Sequence, residues 1–546
     1  MKRSFRALLA IPGLLAAPAA PALTPVTFQV DMSVQIALGS FDPGAGDQLT
    51  VAGDAINNWD ISASVLTNSP PNTNLYVGTF NLTNAPGTTV HYKFVMAGVW
   101  EKNGVGPNGA QNRRFVLGSS SQVLPVFYFD NLTNGSSLVS TQAPFRGNIA
   151  GADLSLLAYF ESQGTHYKDN GQVEDALALL KGKGLNCVRL RLFTSSAAQA
   201  QADPYNYINN LDYTVPLAVR VRNAGLQLLL DFHYSDTWAD PGHQAIPAAW
   251  TNLSFGGLVQ QMRVYNSNCI ATFKAAGAMP DFVQVGNEIN GGLLWPDGRV
   301  GGSYDTPAQW SQLGQLLGAA IEGIRDAAGG EMPKVVVHIA SGADFGGTMW
   351  FFDNLLQQPV PFDIIGESYY PALHGPFTNF ATCMVKTTKR YNRPVFVAET
   401  SFPWASSTPT NLYGIPVSTN GQVQYVVTLA RIVKSVPGEM VPGVFWWWTE
   451  YPGAWGSFFD SGGNVLPVAD AFGQLTAPVT LEAVLDGDHL DLNWPLSGAG
   501  MTLFTSTNPT LPWLPVTNEV QTTGTTFGVT LPASSNSSSF YLLQSP

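Results

Sequence analysis

The sequence predicts a multidomain chain: a (β/α)8 barrel of the TIM type flanked by two small all-β sandwiches. Three observations carry this. Between residues 145 and 475, short apolar runs alternate with helix-period stretches, and eight strand-like runs stand out. On either side the helical period disappears, leaving alternating strands between Asn, Pro, Gly and Ser turns. Two of the barrel runs, Pro280 to Glu288 and Arg393 to Glu399, stop on a carboxylate, at the strand end where a parallel barrel keeps its chemistry.

Taken in order, the chain opens with Lys2, Arg3 and Arg6, an apolar run from Ala7 to Ala17, and an Ala20-Pro21-Ala22 site. This is the pattern of a secretory signal peptide over residues 1–22, cleaved after Ala22. No later apolar run reaches the roughly 20 residues a membrane span needs. The mature protein is therefore expected to be soluble and secreted, whether extracellular or periplasmic; a monomer is the default expectation. A net charge of -12, with only 12% charged residues, leaves no basic surface for nucleic acid or anionic lipid. A neutral polymer suits the 14 tryptophans better, since aromatic faces stack on pyranose rings. Of the three cysteines, Cys187 lies inside an apolar strand and reads as a buried free thiol; a Cys269–Cys383 bridge stays open.

Residues 23–132 read as a β-sandwich, with alternation at Val26 to Val30, Leu49 to Ala52 and Val90 to Val95. Trp59 and Trp100 fall in polar surroundings within it. Residues 133–144 are polar and small, as a linker is. Residues 145–475 form the barrel. Its strands are placed at Gly147 to Asp153, Asn186 to Leu192, Leu226 to His233, Phe282 to Glu288, Lys334 to Ile339, Phe362 to Tyr370, Pro394 to Glu399 and Val441 to Trp448. Helices are expected at Tyr213 to Ala224 and Trp310 to Ala328. No Gly-rich phosphate fingerprint follows any strand, which speaks against a doubly wound sheet. Residues 478–546 return to short alternating strands and read as a fibronectin-like or Ig-like sandwich of unspecified role.

The strand ends collect polar groups: Asp153, Arg189, His233, Asp236, Asn287, Glu288, Tyr370 and Glu399. Arg189 and Arg191 are two apart and share a strand face. An Arg inside a barrel mouth needs a carboxylate partner, and Glu399 is the natural one. Such a pair would keep Glu399 ionised. Asn287 can donate to a sugar hydroxyl beside the reacting carbon. Two glutamates on matching strands can flank one glycosidic bond as acid and nucleophile; retention calls for a carboxyl separation of about 5–5.5 Å.

Two resemblances extend this reading. The N-terminal segment resembles starch-binding-type carbohydrate modules through "VAGDAINNWD", "YKFV" and "WEKNG…NRRF", which implies that Trp59 and Trp100 stack on sugar. Residues 145–475 resemble glycoside hydrolase family 53, the endo-β-1,4-galactanases. The shared motifs are "GADLSLLAYFESQGTHY", "NCVRLRLF", "DFHYSDTWADPGHQ", "VGNEINGGLLWPDGR", "IGESYYP" and "VAETSFPW". The resemblance implies a secreted, retaining enzyme acting on the β-1,4-galactan of pectic arabinogalactan, with no cofactor. It implies Glu288 as acid/base and Glu399 as nucleophile. Arg189, His233, Asn287 and Tyr370 would line the reaction centre, and Trp238, Asp240, Trp295 and Trp447 the cleft; Asp153 joins the substrate-binding set from its place at a strand end. Three positions depart from the family pattern. Phe445-Trp446-Trp447-Trp448 replaces Phe-Tyr-Trp-Glu, so a one-residue slip would move the stacking role from Trp447 to Trp448. Glu367 replaces an aliphatic residue, and its parity turns it away from the mouth. Ala405 to Asn411 lacks the acidic residues that bacterial members use for calcium, so no metal is expected. Alternatives are a related endo-β-glycanase of the same clan and a non-catalytic polysaccharide-binding protein on a degenerate barrel.

Overall fold

The structure, a computed structural model, describes residues 23–101, 112–405, 409–508, 512–533 and 539–544. The expected signal segment, part of the "WEKNG…NRRF" motif and the middle of the loop read for calcium fall outside them. The chain divides into two compact units. One holds the chain up to Ile36 together with Phe41–Thr133; the other holds Ala37–Ser40 and everything from Asn134 onward.

The first unit is all-β. Its strands are β1 (Thr24–Asp31), β2 (Leu49–Gly53), β3 (Val65–Ser69), β4 (Asn72–Leu82), β5 (Thr89–Met96), β6 (Val99–Trp100), β7 (Arg113–Val116) and β8 (Gln122–Tyr128). They pair in the order β6-β5-β2-β3-β4-β1-β8, with β7 on β5. The period-2 pattern of β1 puts Val26, Phe28 and Val30 in the core, where Phe28 meets the Tyr92 ring edge-on at 5.0 Å.

In the second unit eight parallel strands close into a barrel: β9 (Ile149–Asp153), β10 (Cys187–Leu192), β11 (Gln227–Phe232), β12 (Phe282–Val285), β13 (Lys334–Ile339), β14 (Ile364–Tyr369), β15 (Val395–Thr400) and β16 (Gly443–Trp446). The principal helices after them are α1 (Ala176–Gly182), α2 (Leu211–Asn223), α3 (Phe255–Ala275), α4 (Pro307–Ala328), α5 (Phe345–Leu355), α6 (Phe377–Tyr391), α7 (Thr419–Ser435) and α8 (Val468–Gly473). Their starts follow from the sequence: Ser254 caps α3 by accepting from the Gly257 amide, and Thr306 with Pro307 opens α4. All eight predicted strands are present, with ends moved by a few residues.

The barrel interior is layered. Its floor takes one side chain from every strand: Ile149, Cys187, Leu229, Phe282, Val336, Ile364, Phe396 and Phe445. Phe145 packs beneath, 5.4 Å from the Phe282 ring. Two residues further along, the inward positions turn polar: Arg189, Asp231, Gln284 and His338, all fully buried. Two local devices lift the glutamates onto this interior. In β15 Glu367 pairs with Val397 but Ser368 pairs with Glu399, so Ala398 is an extra residue. That bulge brings Glu399 to the same side as Phe396. After β12, Gly286 takes φ +96, and a Cβ there would meet Ile289 Cγ2 at 2.6 Å. The turn carries Asn287 inward and leaves Glu288, at φ 48, on the mouth.

Beyond the barrel, β17 (Glu482–Asp486), β18 (His489–Pro495), β19 (Thr502–Ser506), β20 (Leu514–Pro515), β21 (Gln521–Thr523), β22 (Thr526–Pro532) and β23 (Phe540–Gln544) form two antiparallel sheets. Their orders are β17-β18-β22-β21 and β20-β19-β23. Cys187, Cys269 and Cys383 are all buried free thiols, which closes the question of a Cys269–Cys383 bridge.

Candidate active site

Arg189 is the hub of the barrel interior. Its guanidinium reaches Asp153 Oδ2 at 3.0 Å, Asp231 Oδ2 at 2.7 Å, Asn287 Oδ1 at 2.8 Å and Glu399 Oε1 at 2.9 Å. Four acceptors around one planar fork is the arrangement a fully buried cation requires. The expected Arg189–Glu399 pair is therefore one arm of a larger network. Burial would push Asp231 up, but Arg189 and His233 outweigh it and hold the carboxyl below its usual range. His233 stands 3.0 Å from Asp231, and its Nδ1 accepts from the Ala239 amide. Burial keeps its ring below the ordinary imidazole range, hence neutral.

Glu399 is ion-paired to Arg189 through Oε1 and accepts the Tyr370 hydroxyl at 2.8 Å on Oε2. Among the described residues Glu288 accepts only the Ser368 hydroxyl, at 2.6 Å on Oε1. An oxygen of each glutamate lies within 4.8 Å of the other, a short separation for two carboxyl groups. Burial pushes both glutamates up, and the neighbouring Glu399 charge adds to the effect on Glu288, which reaches about 8. Arg189 and Tyr370 pull Glu399 back down. The pair's proton therefore belongs on Glu288, leaving Glu399 ionised at neutral pH. A protonated carboxyl facing a carboxylate across one gap can act as acid and nucleophile on a single bond.

Above them opens a cleft of about 610 Å³. Trp238, Asp240, Asn287, Glu288, Tyr370, Glu399 and Trp447 all line it, as expected. Asp240 spends its carboxylate on the Gly242 amide at 2.7 Å and on His243 at 2.9 Å, which shapes the loop. Asp153, Arg189 and His233 lie beneath the lining, buried. Trp295 is not in the lining. Its indole N–H donates to the Gly291 carbonyl at 2.8 Å and Arg299 covers its ring at 4.3 Å, so it anchors the loop after β12. Asp236 also holds a loop, through Thr194, Gln199 and the Ala248 amide. Trp447 and Trp448 both reach the cleft, nearly parallel at 16° and 6.3 Å apart, so the two candidates share the wall. Glu367 does point away from the mouth, to Thr348 and the Ser341 amide.

Sequence reasoning passed over Asp231, Gln284, His338, Ser368 and Trp455. Asp231 and Gln284 carried a usable signal, being polar on the inward parity of their strands, each two residues past a floor side chain. Trp455 follows β16 on a loop, where periodicity says nothing.

In the first unit, Trp59 and Trp100 do come together, ring centroids 6.1 Å apart at 57°. Asn57 builds the loop that presents Trp59, donating to the Val51 and Asp60 carbonyls at 3.0 and 2.8 Å.

Residues 149–465 match glycosyl hydrolase family 53. A probable arabinogalactan endo-beta-1,4-galactanase A of Neosartorya fischeri is 35% identical over 324 residues, 57% of this chain and 85% of its own length. An arabinogalactan endo-beta-1,4-galactanase of Thermothelomyces thermophilus is 34% identical, covering 54% of this chain and 88% of its own. The family 53 catalytic domain of Ignisphaera aggregans superposes with a TM-score of 0.54 at 31% identity, over 61% of this chain and 97% of that domain. The matched segment is more than half of the chain and takes in all eight barrel strands together with Glu288 and Glu399, so this protein is a glycoside hydrolase of family 53.

Proposed function

We propose that the protein is a secreted, retaining endo-β-1,4-galactanase that cleaves the β-1,4-galactan of pectic arabinogalactan by double displacement. The observation that carries this is the Glu288–Glu399 pair: oxygens within 4.8 Å, one carboxyl pushed up to about 8 by burial and its neighbour's charge, the other ion-paired to Arg189. Inverting enzymes keep their carboxyls about 6.5–9.5 Å apart to admit a water, and an approach of two oxygens to within 4.8 Å favours the closer, retaining arrangement. Galactan as substrate rests on the names of the relatives, and export on the Lys2 to Ala22 pattern.

In the first half-reaction Glu399 attacks the anomeric carbon and Glu288 gives its proton to the departing glycosidic oxygen. Arg189 and Tyr370 keep Glu399 ionised and aimed. Asn287 uses one amide hydrogen on the Ala239 carbonyl at 2.8 Å, leaving the other for the sugar 2-hydroxyl. In the second half-reaction Glu288, now a carboxylate, takes a proton from water as it attacks the same carbon, and Glu399 departs. The configuration is retained.

The first unit is read as a carbohydrate-binding module of the starch-binding type, a sandwich with Trp59 and Trp100 as its sugar platform. The strands after the barrel are read as a fibronectin-like or Ig-like spacer.

The deciding experiment is hydrolysis of linear β-1,4-galactan followed from the first seconds by NMR. Early β-anomeric galacto-oligosaccharides of several lengths are expected. Early α-anomers would mean inversion, and no cleavage beside turnover of another β-glycan would move the substrate within the clan.

A further inference from the structure

The two glutamates leave one chain of buried polar groups without a task. Gln284, His338 and Ser368 come from β12, β13 and β14, each fully buried and outside the cleft lining. Gln284 Nε2 stands 2.6 Å from Asp231 Oδ1 and 3.0 Å from His338 Nδ1. His338 Nε2 stands 2.9 Å from the Ser368 hydroxyl, and that hydroxyl stands 2.6 Å from Glu288 Oε1.

The proton directions follow from what each group can do. An ionised Asp231 only accepts, so one Gln284 amide hydrogen goes there; the other has the Gly286 carbonyl at 3.2 Å and Asn287 Oδ1 at 3.3 Å in reach, with His338 Nδ1 the nearest at 3.0 Å. Burial and the Arg189 charge hold His338 far below the ordinary imidazole range, so its ring is neutral and carries a single N–H. Nδ1 stands 3.0 Å from the Gln284 amide, a donor, and 3.1 Å from Asn287 Oδ1, an acceptor already engaged by Arg189; when Nδ1 accepts from Gln284, the ring hydrogen sits on Nε2 and points at Ser368 Oγ. The serine's own hydrogen is then committed to Glu288 Oε1.

We propose that Gln284, His338 and Ser368 form a one-directional hydrogen-bond relay that keeps Glu288 Oε1 an acceptor and so confines the acid's proton to Oε2. Ser368 is a positioning residue: it touches Glu288 and does not itself line the cleft. No net proton travels along the relay. When Glu288 gives its proton to the leaving oxygen, the Ser368 hydrogen bond is already in place for the new carboxylate. When water returns a proton in the second half-reaction, Oε1 is occupied and Oε2 receives it. The relay rests on Glu288 being the acid/base. The other charged or titratable groups facing Glu288 are Glu399 from β15, Arg189 from β10, Tyr370 from the end of β14 and Asp240 from the loop after β11. None of them donates to Oε1.

The test is the pH dependence of kcat/KM for the full chain carrying Ser368→Ala, on linear β-1,4-galactan and on an aryl β-galactobioside whose leaving group needs no proton. A donor to the ionised form lowers a carboxyl's pKa. Its removal should move the basic limb on galactan up by about one pH unit, a tenfold change in proton affinity. The aryl substrate should keep its kcat/KM within about twofold. A limb that moves down means that Glu288 donates to Ser368, and that overturns the relay. An unmoved limb, or equal losses on both substrates, also overturns it, since both follow from a merely structural serine. The wild type supplies a second measurement, independent of whether the variant folds. In the 15N spectrum, with His338 assigned through His338→Gln, the Nε2–H tautomer is expected and the Nδ1–H tautomer overturns the relay. Failure of the underlying reading looks different: Glu288→Gln would then retain the wild-type basic limb in its residual activity.

Discussion

Arg191 lies face-on to Trp238, its guanidinium carbon 4.0 Å from the ring centroid, with the Trp447 ring at 4.8 Å. It is fully buried, none of its three guanidinium nitrogens has a hydrogen-bond partner among the described residues, and its one ion pair, to Asp153, is long at 3.7 Å. The two indoles, themselves edge-to-face at 77°, are therefore the main partners of this charge. Desolvated cation–π contacts are worth about 2 kcal/mol. Arg191→Met keeps the bulk and removes that attraction, freeing both walls of the cleft. Galactan KM should rise by about an order of magnitude, with kcat within a fewfold. A collapse of kcat at unchanged KM would place the effect of Arg191 at the reacting carbon instead.

The pH profile follows from the glutamate pair. Activity needs Glu288 protonated and Glu399 ionised. With Glu288 pushed up to about 8, kcat/KM should fall on a basic limb near that pH. Burial also raises Glu399, so the acidic limb should lie above the ordinary carboxylate range. Both limbs belong to the pair as a unit. A basic limb below pH 6 would contradict the desolvated acid.

Glu367 makes a stability prediction. It is buried outside the barrel interior, and burial pushes it to about 8 against the hydrogen bonds from Thr348 and the Ser341 amide. The folded state holds this proton more tightly than the unfolded chain, whose glutamate titrates at its ordinary value of 4.5. The group's contribution is thus complete below the unfolded pKa and lost as pH rises through the folded one. Glu367→Gln keeps a neutral polar group there. Its Tm should exceed that of the wild type at pH 8.5, with the difference closing towards pH 5. A pH-independent difference would mean that Glu367 does not titrate in this interval.

What the sequence made legible, and what it did not, divides along periodicity. The strands were readable because apolar runs ending on Asp153, His233, Glu288 and Glu399 repeat at barrel spacing. The Arg189–Glu399 pair was readable from charge balance alone. The inward facing of Glu399 and Asn287 was not derivable by counting, because the Ala398 bulge and the left-handed Gly286 each shift the parity. Trp295 looked like a cleft residue because tryptophans near a glutamate stack on sugars. Its hydrogen bond to Gly291, which makes it an anchor, depends on a loop geometry with no repeat to betray it. Ser368 was silent for another reason: it is a common residue whose meaning lies in a neighbour on a different strand, whereas His338 carried the same inward-parity signal as Gln284, two residues past Val336.

The first unit yields a binding prediction. Trp100 is 38% exposed beside Trp59, whose backbone sits at φ 66 in a loop pinned by Asn57. Holding a large apolar ring at the surface in that conformation suits a platform for a sugar ring. Trp59→Ala with Trp100→Ala should reduce retention on insoluble polysaccharides at least fivefold, while turnover of soluble galactan stays at the wild-type rate. Equal retention across a panel of insoluble glycans would assign the pair to structure alone.

The roles of the two glutamates are separable by leaving group and by azide. Glu288→Ala removes the proton donor and the later base, so it should cripple cleavage of galactan and spare an aryl galactoside whose leaving group departs unprotonated. The intermediate on Glu399 then waits for a nucleophile that needs no base. Azide should supply one, raising the rate and giving the β-galactosyl azide, because two displacements retain configuration. Glu399→Ala loses the covalent route, and a better leaving group cannot restore it. Azide entering from the vacated face should give, at most, slow formation of the α-azide from an activated donor. Both variants need a folding check first. Glu399 is one of the carboxylates around Arg189, and its loss leaves that buried cation with Asp153, Asp231 and the neutral Asn287. If the Glu288 variant gave the α-azide and the Glu399 variant the β-azide, the two roles would be exchanged. That would also undo the electrostatic argument, because the carboxyl without a cation would then be the one that must stay ionised.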